Sequence, residues 1–99
     1  MGIEFEKLAG FEWDQGNNDR NLIKHNVENW ECEQIFFNDP LIVHDDPKHS
    51  IAENRFAAFG KTDAERLLVV IFTIRSRLIR VISARKMNRK ERSFYEENQ

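Results

Sequence analysis

The chain has 99 residues, of which 15 are lysine or arginine and 17 are aspartate or glutamate, giving a formal net charge of −2. This length predicts one domain over residues 1–99, and 40% hydrophobic residues exclude a disordered or fibrous chain. The longest apolar run, residues 67–72, is too short to span a bilayer. The charged first ten residues do not resemble a signal peptide, so we expect a cytoplasmic protein with no membrane partner.

Charge is distributed unevenly along the chain. Residues 1–60 hold 12 acidic and 5 basic side chains, whereas residues 61–99 hold 10 basic and 5 acidic ones. A basic C-terminal half favours binding to a polyanion or an acidic partner. The alternative is that the two halves attract each other in the folded domain.

Two helices are predicted near the N-terminus, after a short strand over residues 11–13. Asp14 is a suitable N-cap for a helix over residues 15–24, in which Leu22 and Ile23 would be the buried edge. Asn26 suits the left-handed residue that ends this helix. The second helix is predicted over residues 29–37, with an inward stripe at helical spacing formed by Cys32, Ile35 and Phe36.

From residue 41 onward the pattern changes from helical to extended. Strands are predicted over residues 41–44, 54–60, 66–74 and 78–84. Residues 66–74 are apolar almost throughout, which is typical of a central strand covered on both faces. In residues 78–84, alternation places Val81 and Ser83 on one face and Arg80 and Ala84 on the other.

A last helix is predicted to run to about Glu97, because Asn88 and Glu91 have the spacing of a capping box. The element order is therefore strand, helix, helix, antiparallel meander, helix. This order predicts an α+β domain in which the two N-terminal helices pack on one face of the sheet.

The chain lacks the common catalytic and metal-binding motifs. The single cysteine, Cys32, and the three histidines, His25, His44 and His49, do not have the spacing of a zinc site. There is no glycine-rich phosphate loop and no Gly-x-Ser-x-Gly sequence. We therefore expect neither a metal nor another cofactor.

Arginines on the predicted sheet are the strongest functional signal. Arg80 interrupts an apolar strand and Arg85 follows it, while Arg55 lies in a neighbouring strand, two residues after Glu53. A guanidinium fork matches a phosphate bidentately. If the helices cover the other face of its strand, Arg80 points to an open face of the sheet. The alternative is a structural salt bridge, for example between Arg55 and either Glu53 or Asp46.

Four further basic residues lie at helix ends. Lys24 and His25 end the first predicted helix, where cations complement the helix dipole, and His25 can also act as an acid or base near neutral pH. Arg89 and Lys90 lie in the first turn of the last helix, where cations oppose the dipole, which favours phosphate binding there. Large aromatic residues are predicted to lie in the core rather than on a base-stacking surface: Trp13, Trp30, Phe36 and Phe72.

Several segments in chain order carry a family resemblance. The most specific are Lys-His-Asn-Val at residues 24–27 and Arg-Val-Ile-Ser-Ala-Arg at residues 80–85. With the segments at residues 11–14, 31–38, 58–62 and 91–95, they resemble the BrnT toxins, the ribonuclease half of BrnT/BrnA toxin–antitoxin pairs. The resemblance covers residues 11–97. One departure is at residues 28–30, where the family more often begins its second helix with Ser or Thr, so that Glu28 or Asn29 must cap here.

The resemblance implies a RelE-like fold and a bacterial cytoplasmic toxin that cleaves RNA and stalls translation. It also implies a BrnA-like ribbon–helix–helix antitoxin, with operator DNA bound only through the antitoxin complex, which represses its own operon.

The leading hypothesis is a metal-independent endoribonuclease, in which the RNA 2′-hydroxyl attacks the adjacent phosphate. Arg80 and Arg55 would hold this phosphate, with Arg85 alongside. The base would be Glu53 or His25, and the acid Lys24 or His25. The alternatives are a noncatalytic module that binds RNA or an acidic protein on the same basic face, and an inactive toxin kept as a co-repressor.

Overall fold

The computed structural model describes residues 3–49 and 52–99, which form a mixed five-stranded sheet with helices on both sides. The order across the sheet is β1-β5-β4-β3-β2, in which β2 to β5 form an antiparallel meander and β1 pairs in parallel with β5. The strands are β1 (Gly10–Glu12), β2 (Ile42–Asp45), β3 (Phe56–Lys61), β4 (Leu67–Arg75) and β5 (Leu78–Lys86). The predicted α+β class and the central position of β4 are confirmed.

The helices are α1 (Arg20–His25), α2 (Asn29–Gln34) and α3 (Arg89–Glu97). A 3-10 turn over Ile35–Phe37 extends α2 to its predicted end. Asn26 is left-handed after α1, with φ 56°, and Asn88 and Glu91 form the capping box of α3, as predicted. Before α2, the Glu28 N–H donates to the carboxylate of Glu31, so Glu28 is the capping position.

The first helix is shorter than predicted, because residues 15–19 form turns. Asp14 does not cap α1, since its carboxylate accepts instead from the Gly16 N–H at 2.8 Å. The prediction that Ile23 is buried is also wrong, because Ile23 is 85% exposed. The buried residue of α1 is Asn21, whose amide oxygen accepts from the Ala84 N–H at 2.9 Å.

Asparagine side chains take the place of a neighbouring strand along one edge of β5. Strand β1 pairs with β5 only as far as Arg80. Beyond that point Asn17 donates to the Val81 carbonyl at 2.9 Å, and Asn21 accepts from Ala84. Backbone groups at the sheet edge are thereby satisfied without a further strand, and α1 is fixed beside β5.

The core has two parts, one on each face of the sheet. The main core lies on the α2 side and comprises Val27, Cys32, Ile35, Phe56, Ala58, Leu68, Val70, Phe72, Ile79, Val81 and Ala84. A smaller cluster under α3 joins Val69, Met87 and Tyr95, and the Tyr95 hydroxyl donates to the Pro40 carbonyl at 2.6 Å. The predicted burial of Phe72 is confirmed, whereas Trp30 is 55% exposed, contrary to prediction.

A β-bulge changes the alternation within β5. Phe72 pairs with Val81, but the preceding residue, Ile71, pairs with Ser83, so β5 contains one extra residue between them. The prediction that Val81 and Ser83 share a face is therefore wrong: Ala84 joins Val81 in the main core. The bulge moves Ser83 to the face of Arg80, opposite the main core.

Candidate active site

Arginines and carboxylates form a network on the face of the sheet opposite the main core, beyond the part that α3 covers. We call this surface the open face. The network joins β1, β4, β5 and the segment before β3, and its described members are Glu12, Asp14, Glu53, Arg55, Arg75 and Arg80.

Arg80 is held by two carboxylates from the N-terminal part of the chain. Its Nη1 and Nη2 atoms donate to Asp14 Oδ2 and Oδ1 at 2.8 and 2.9 Å. Nη1 also donates to Glu12 Oε1 at 3.0 Å. With its side chain only 13% exposed, Arg80 is fixed in one orientation. Arg80 also holds the pKa of the Asp14 carboxyl below its usual value, and the Gly16 N–H lowers it further.

The turn after β1 leaves room for this pair only because residue 16 is glycine. A Cβ atom at Gly16 would lie 2.7 Å from Arg80 Nη2 and 3.1 Å from Asp14 Oδ1. Asn17 Oδ1 accepts from the Asp14 N–H at 2.8 Å and fixes the start of the turn. Residues 14–17 therefore form a tight cradle around the guanidinium.

One edge of the Arg80 guanidinium is not used by these contacts. Within the described part of the chain, both N–H groups of Nη1 and one of Nη2 have carboxylate partners. The Nε–H and the second Nη2–H together form another bidentate edge. Neither of these two N–H groups has a carboxylate partner among the described residues.

Glu53 has a different partner from those considered in the sequence. Arg75 Nε and Nη2 donate to Glu53 Oε2 and Oε1 at 3.0 and 3.1 Å. This hydrogen-bonded pair lowers the pKa of Glu53, and the nearby charges of Arg55 and Arg80 lower it further. Arg75 lies between the two strands predicted over residues 66–74 and 78–84, and it is not among the predicted site residues.

Three of the predicted site residues, Glu53, Arg55 and Arg80, are brought together by the fold. Arg55 precedes β3, and its carbonyl accepts from the Asp46 N–H at 2.8 Å. Its side chain is close enough to Glu53 to contribute to the lowered pKa of that carboxyl.

The other predicted residues lie in two separate places. Arg85 donates to both oxygens of Glu91 at 2.7 and 2.8 Å, next to the first turn of α3, where Arg89 and Lys90 are exposed. Lys24 and His25 are exposed at the end of α1, beside β5. Among the described residues, no hydrogen bond or ion pair joins either of them to Glu53 or Arg80.

The ion pairs also explain the uneven charge of the chain. Arg66, Arg75 and Arg80, from the basic half, bind acidic residues of the other half, namely Glu31, Glu53, Glu12 and Asp14. Attraction between the two halves of the chain therefore accounts for part of their opposite charges. The structural salt bridges offered as an alternative in the sequence are also present at Arg80 and Arg85. Among the residues that the structure describes, no three His, Cys, Asp or Glu side chains are grouped to hold a metal ion.

Fold and site together define a small α+β protein that presents fixed arginines and an ionised carboxylate on one open face of its sheet. The family model for the ribonuclease toxin BrnT of type II toxin–antitoxin systems matches residues 13–91. The chain belongs to this family, as the resemblance in its sequence indicated. No curated protein matches the chain. None of the helices described is long and apolar enough to cross a membrane.

Proposed function

We propose that this chain is a metal-independent endoribonuclease that cuts RNA in the bacterial cytoplasm and thereby inhibits translation. Family membership supports the ribonuclease class. The observation that carries the proposal is that the guanidinium of Arg80, held in one orientation, lies close enough to Glu53 to lower the pKa of its carboxyl, which is ionised at neutral pH.

The chemistry that suits these groups is transesterification within the RNA. The 2′ oxygen forms a bond to the adjacent phosphorus while the bond from phosphorus to the 5′ oxygen breaks. Glu53 takes the proton of the 2′-hydroxyl as a general base. Arg80 and Arg55 bind the phosphate oxygens and stabilise the negative charge that increases in the transition state.

The departing 5′ oxygen needs a proton, and Lys24 and His25 are the candidates for this donor. Both are exposed at the end of α1. Single variants, Lys24→Met and His25→Gln, identify the donor: the variant that lacks it loses the alkaline limb of the pH–rate profile. Arg85, Arg89 and Lys90 would bind phosphates farther along the RNA, at the junction of β5 and α3.

The proposed partner is a BrnA-like antitoxin with a ribbon–helix–helix domain, which neutralises the toxin and brings it to operator DNA. Membership in a type II toxin family supports the existence of an antitoxin. Its ribbon–helix–helix character comes from the resemblance of the sequence.

Incubation of the purified protein with single-stranded RNA in EDTA tests the proposal. We expect cleavage with 2′,3′-cyclic phosphate ends, and growth arrest on expression that the co-expressed antitoxin relieves. Folded protein that leaves RNA intact would contradict the proposed activity. Cleavage that EDTA abolishes and magnesium or zinc restores would contradict the metal-free mechanism.

A second candidate, a noncatalytic binding module or co-repressor, is favoured by one observation. Arg80 and Arg85 already form salt bridges with carboxylates, which is how arginines with a structural role behave. This candidate predicts RNA or antitoxin binding with no cleavage under any of the conditions above.

A further inference from the structure

We infer that Arg75 is a positioning residue of the proposed active site, which fixes the carboxylate of Glu53 on the open face through a two-point hydrogen bond. The inference rests on the proposed function, in which Glu53 is the base. Arg75 lies outside the segments that carry the family resemblance.

Glu53 depends on such a partner because it lies outside regular structure. Strand β3 begins at Phe56, so strand pairing does not hold the backbone at Glu53. Besides the Asp46 N–H that donates to the Arg55 carbonyl, two side chains of β4 hold this segment. Thr73 Oγ1 donates to the Asn54 carbonyl at 2.7 Å, and Arg75 binds both oxygens of Glu53. The first contact fixes the backbone, and the second fixes the side chain.

The geometry of the pair is specific to arginine. Nε and Nη2 lie on one edge of the guanidinium, and each donates to a different oxygen of Glu53, at 3.0 and 3.1 Å. Two parallel hydrogen bonds set the plane of the carboxylate, whereas a lysine would supply charge at a single point. Each oxygen keeps a second lone pair for the proton of a 2′-hydroxyl.

Part of this carboxylate remains accessible. A cleft beside it is lined by Glu53, Asn54, Phe56, Thr73 and Ile74, and no arginine lines it. The Glu53 side chain is 27% exposed, so an incoming ribose can reach it while Arg75 holds it. Arg75 itself is 50% exposed and lies at the rim of the site.

The charges that face Glu53 come from two strands and from the segment before a third. Arg75 is at the end of β4, Arg55 precedes β3, and Arg80 is on β5, where Asp14 and Glu12 partly neutralise it. Among these groups, the hydrogen bonds from Arg75 do most to lower the pKa of Glu53. Loss of Arg75 therefore releases the carboxylate and raises its pKa toward the usual value.

The test compares Arg75→Gln, Arg75→Lys and the wild-type chain, with Arg77→Gln as the matched control. Arg77 is exposed two residues away and donates to the Lys7 carbonyl, so its loss removes the same charge without touching Glu53. The side-chain carboxyl signal of Glu53 is titrated by NMR in each full-length protein. Single-turnover cleavage rates are measured across the same pH range.

We expect the Glu53 titration midpoint to move to higher pH in Arg75→Gln, to move less in Arg75→Lys, and to stay at the wild-type value in Arg77→Gln. The acid limb of the pH–rate profile should move in the same direction, because Glu53 must be ionised to accept a proton. The maximal rate should fall by about 10²-fold in Arg75→Gln, as for a misplaced catalytic group.

An unchanged titration and acid limb in a folded Arg75→Gln protein would overturn the inference. Should Arg75→Gln fail to fold, Arg75→Lys decides, because full wild-type activity with an unchanged profile would show that the two-point contact is dispensable. A wild-type protein that does not cut RNA would contradict the proposed function alone. The NMR titration would still show whether Arg75 controls Glu53.

Discussion

Arg80 and Asp14, 66 residues apart in the chain, meet through two hydrogen bonds of 2.8 and 2.9 Å that join guanidinium to carboxylate. Asp14 is itself held by the turn after β1, so the orientation of Arg80 is set before any ligand binds. Such preorganisation lets a charged group stabilise a transition state without first reorganising. In the proposed function, Arg80 would therefore bind phosphate from this one fixed orientation.

Replacing Arg80 should affect both activity and stability. We expect Arg80→Gln to lower the single-turnover cleavage rate by about 10²–10³-fold, as when one donor to a charged transition state is lost. Its side chain is largely buried and bound to Asp14 and Glu12, so unfolding free energy should also fall, by about 1–3 kcal/mol. Thermal melting and RNA cleavage of the same preparation measure the two effects.

Val81 supplies the matched control for Arg80. It is the next residue on β5 but is fully buried in the main core. Val81→Ala should cost about 1–3 kcal/mol of stability, while the folded fraction cuts RNA at the wild-type rate. An Arg80→Gln protein that is folded and cuts like the wild type would place the active site elsewhere, with Lys24 and His25 of α1 as the next candidates.

Gly16 offers a test of the cradle that changes no charge. A Cβ atom there would lie 2.7 Å from Arg80 Nη2, so Gly16→Ala should push the guanidinium away from Asp14. We expect the cleavage rate to fall by up to about 10²-fold. Unfolding free energy should fall by less than in Arg80→Gln, because Glu12 remains as a partner of the guanidinium. Gln15→Ala, in the same exposed turn, is the control and should retain wild-type activity.

The parts of the fold that were predicted correctly are those that depend on local sequence. The capping box at Asn88 and Glu91 and the left-handed Asn26 involve residues within one turn of each other. The apolar run in β4 indicates burial on both faces without any knowledge of its neighbours. The errors at Ser83 and Ala84 have a non-local cause, because the bulge in β5 exists only relative to its pairing with β4.

Only part of the candidate site was predicted, again because local sequence signals do not show which residues meet across the sheet. Arg55 and Arg80 stand out locally, because each is a charge beside or within an apolar strand. The ion pairs of the site do not stand out in the sequence: Arg75 is 22 residues from its partner Glu53, and Arg80 is 68 residues from Glu12. Only the pairing of β1 with β5, and of β3 with β4, brings those carboxylates to the arginines.

Stability should decrease at acidic pH, in part because of Glu91. Hydrogen bonds from Arg85, together with the Asn88 N–H, lower the pKa of Glu91 in the folded chain. A carboxyl with a lowered folded-state pKa contributes stability that is present above its unfolded value of 4.5 and is lost as pH falls through the folded value. Unfolding free energy should therefore be constant near neutral pH and fall below about pH 5.

Glu91→Gln measures this contribution by denaturant unfolding between pH 3 and pH 7. The variant should lose about 1 kcal/mol at pH 7, since it weakens the capping box and the contact with Arg85, and much less at pH 3. Glu96→Gln, exposed on the same helix, is the control. Equal destabilisation by Glu91→Gln at both pH values would show that packing, and not the charge of Glu91, stabilises this end of α3.

Cys32 should be inert in the folded protein. Its side chain is fully buried in the main core, and burial, with a smaller effect of the Glu31 carboxylate, raises the pKa of the thiol to about 12. The thiolate is the reactive form, so a thiol reagent at pH 8 should modify Cys32 only when the domain unfolds.

The control is Ser93→Cys in a Cys32→Ala background, which places a thiol at an exposed position of α3 and should react at once. We expect native Cys32 to react many-fold more slowly than this control, and at the same rate once both proteins are denatured. Comparable rates in native buffer would mean that α2 separates from the sheet without global unfolding. Cys32→Ala should keep the RNA cleavage rate of the folded fraction, because Cys32 lies on the side of the sheet opposite Arg80 and Glu53.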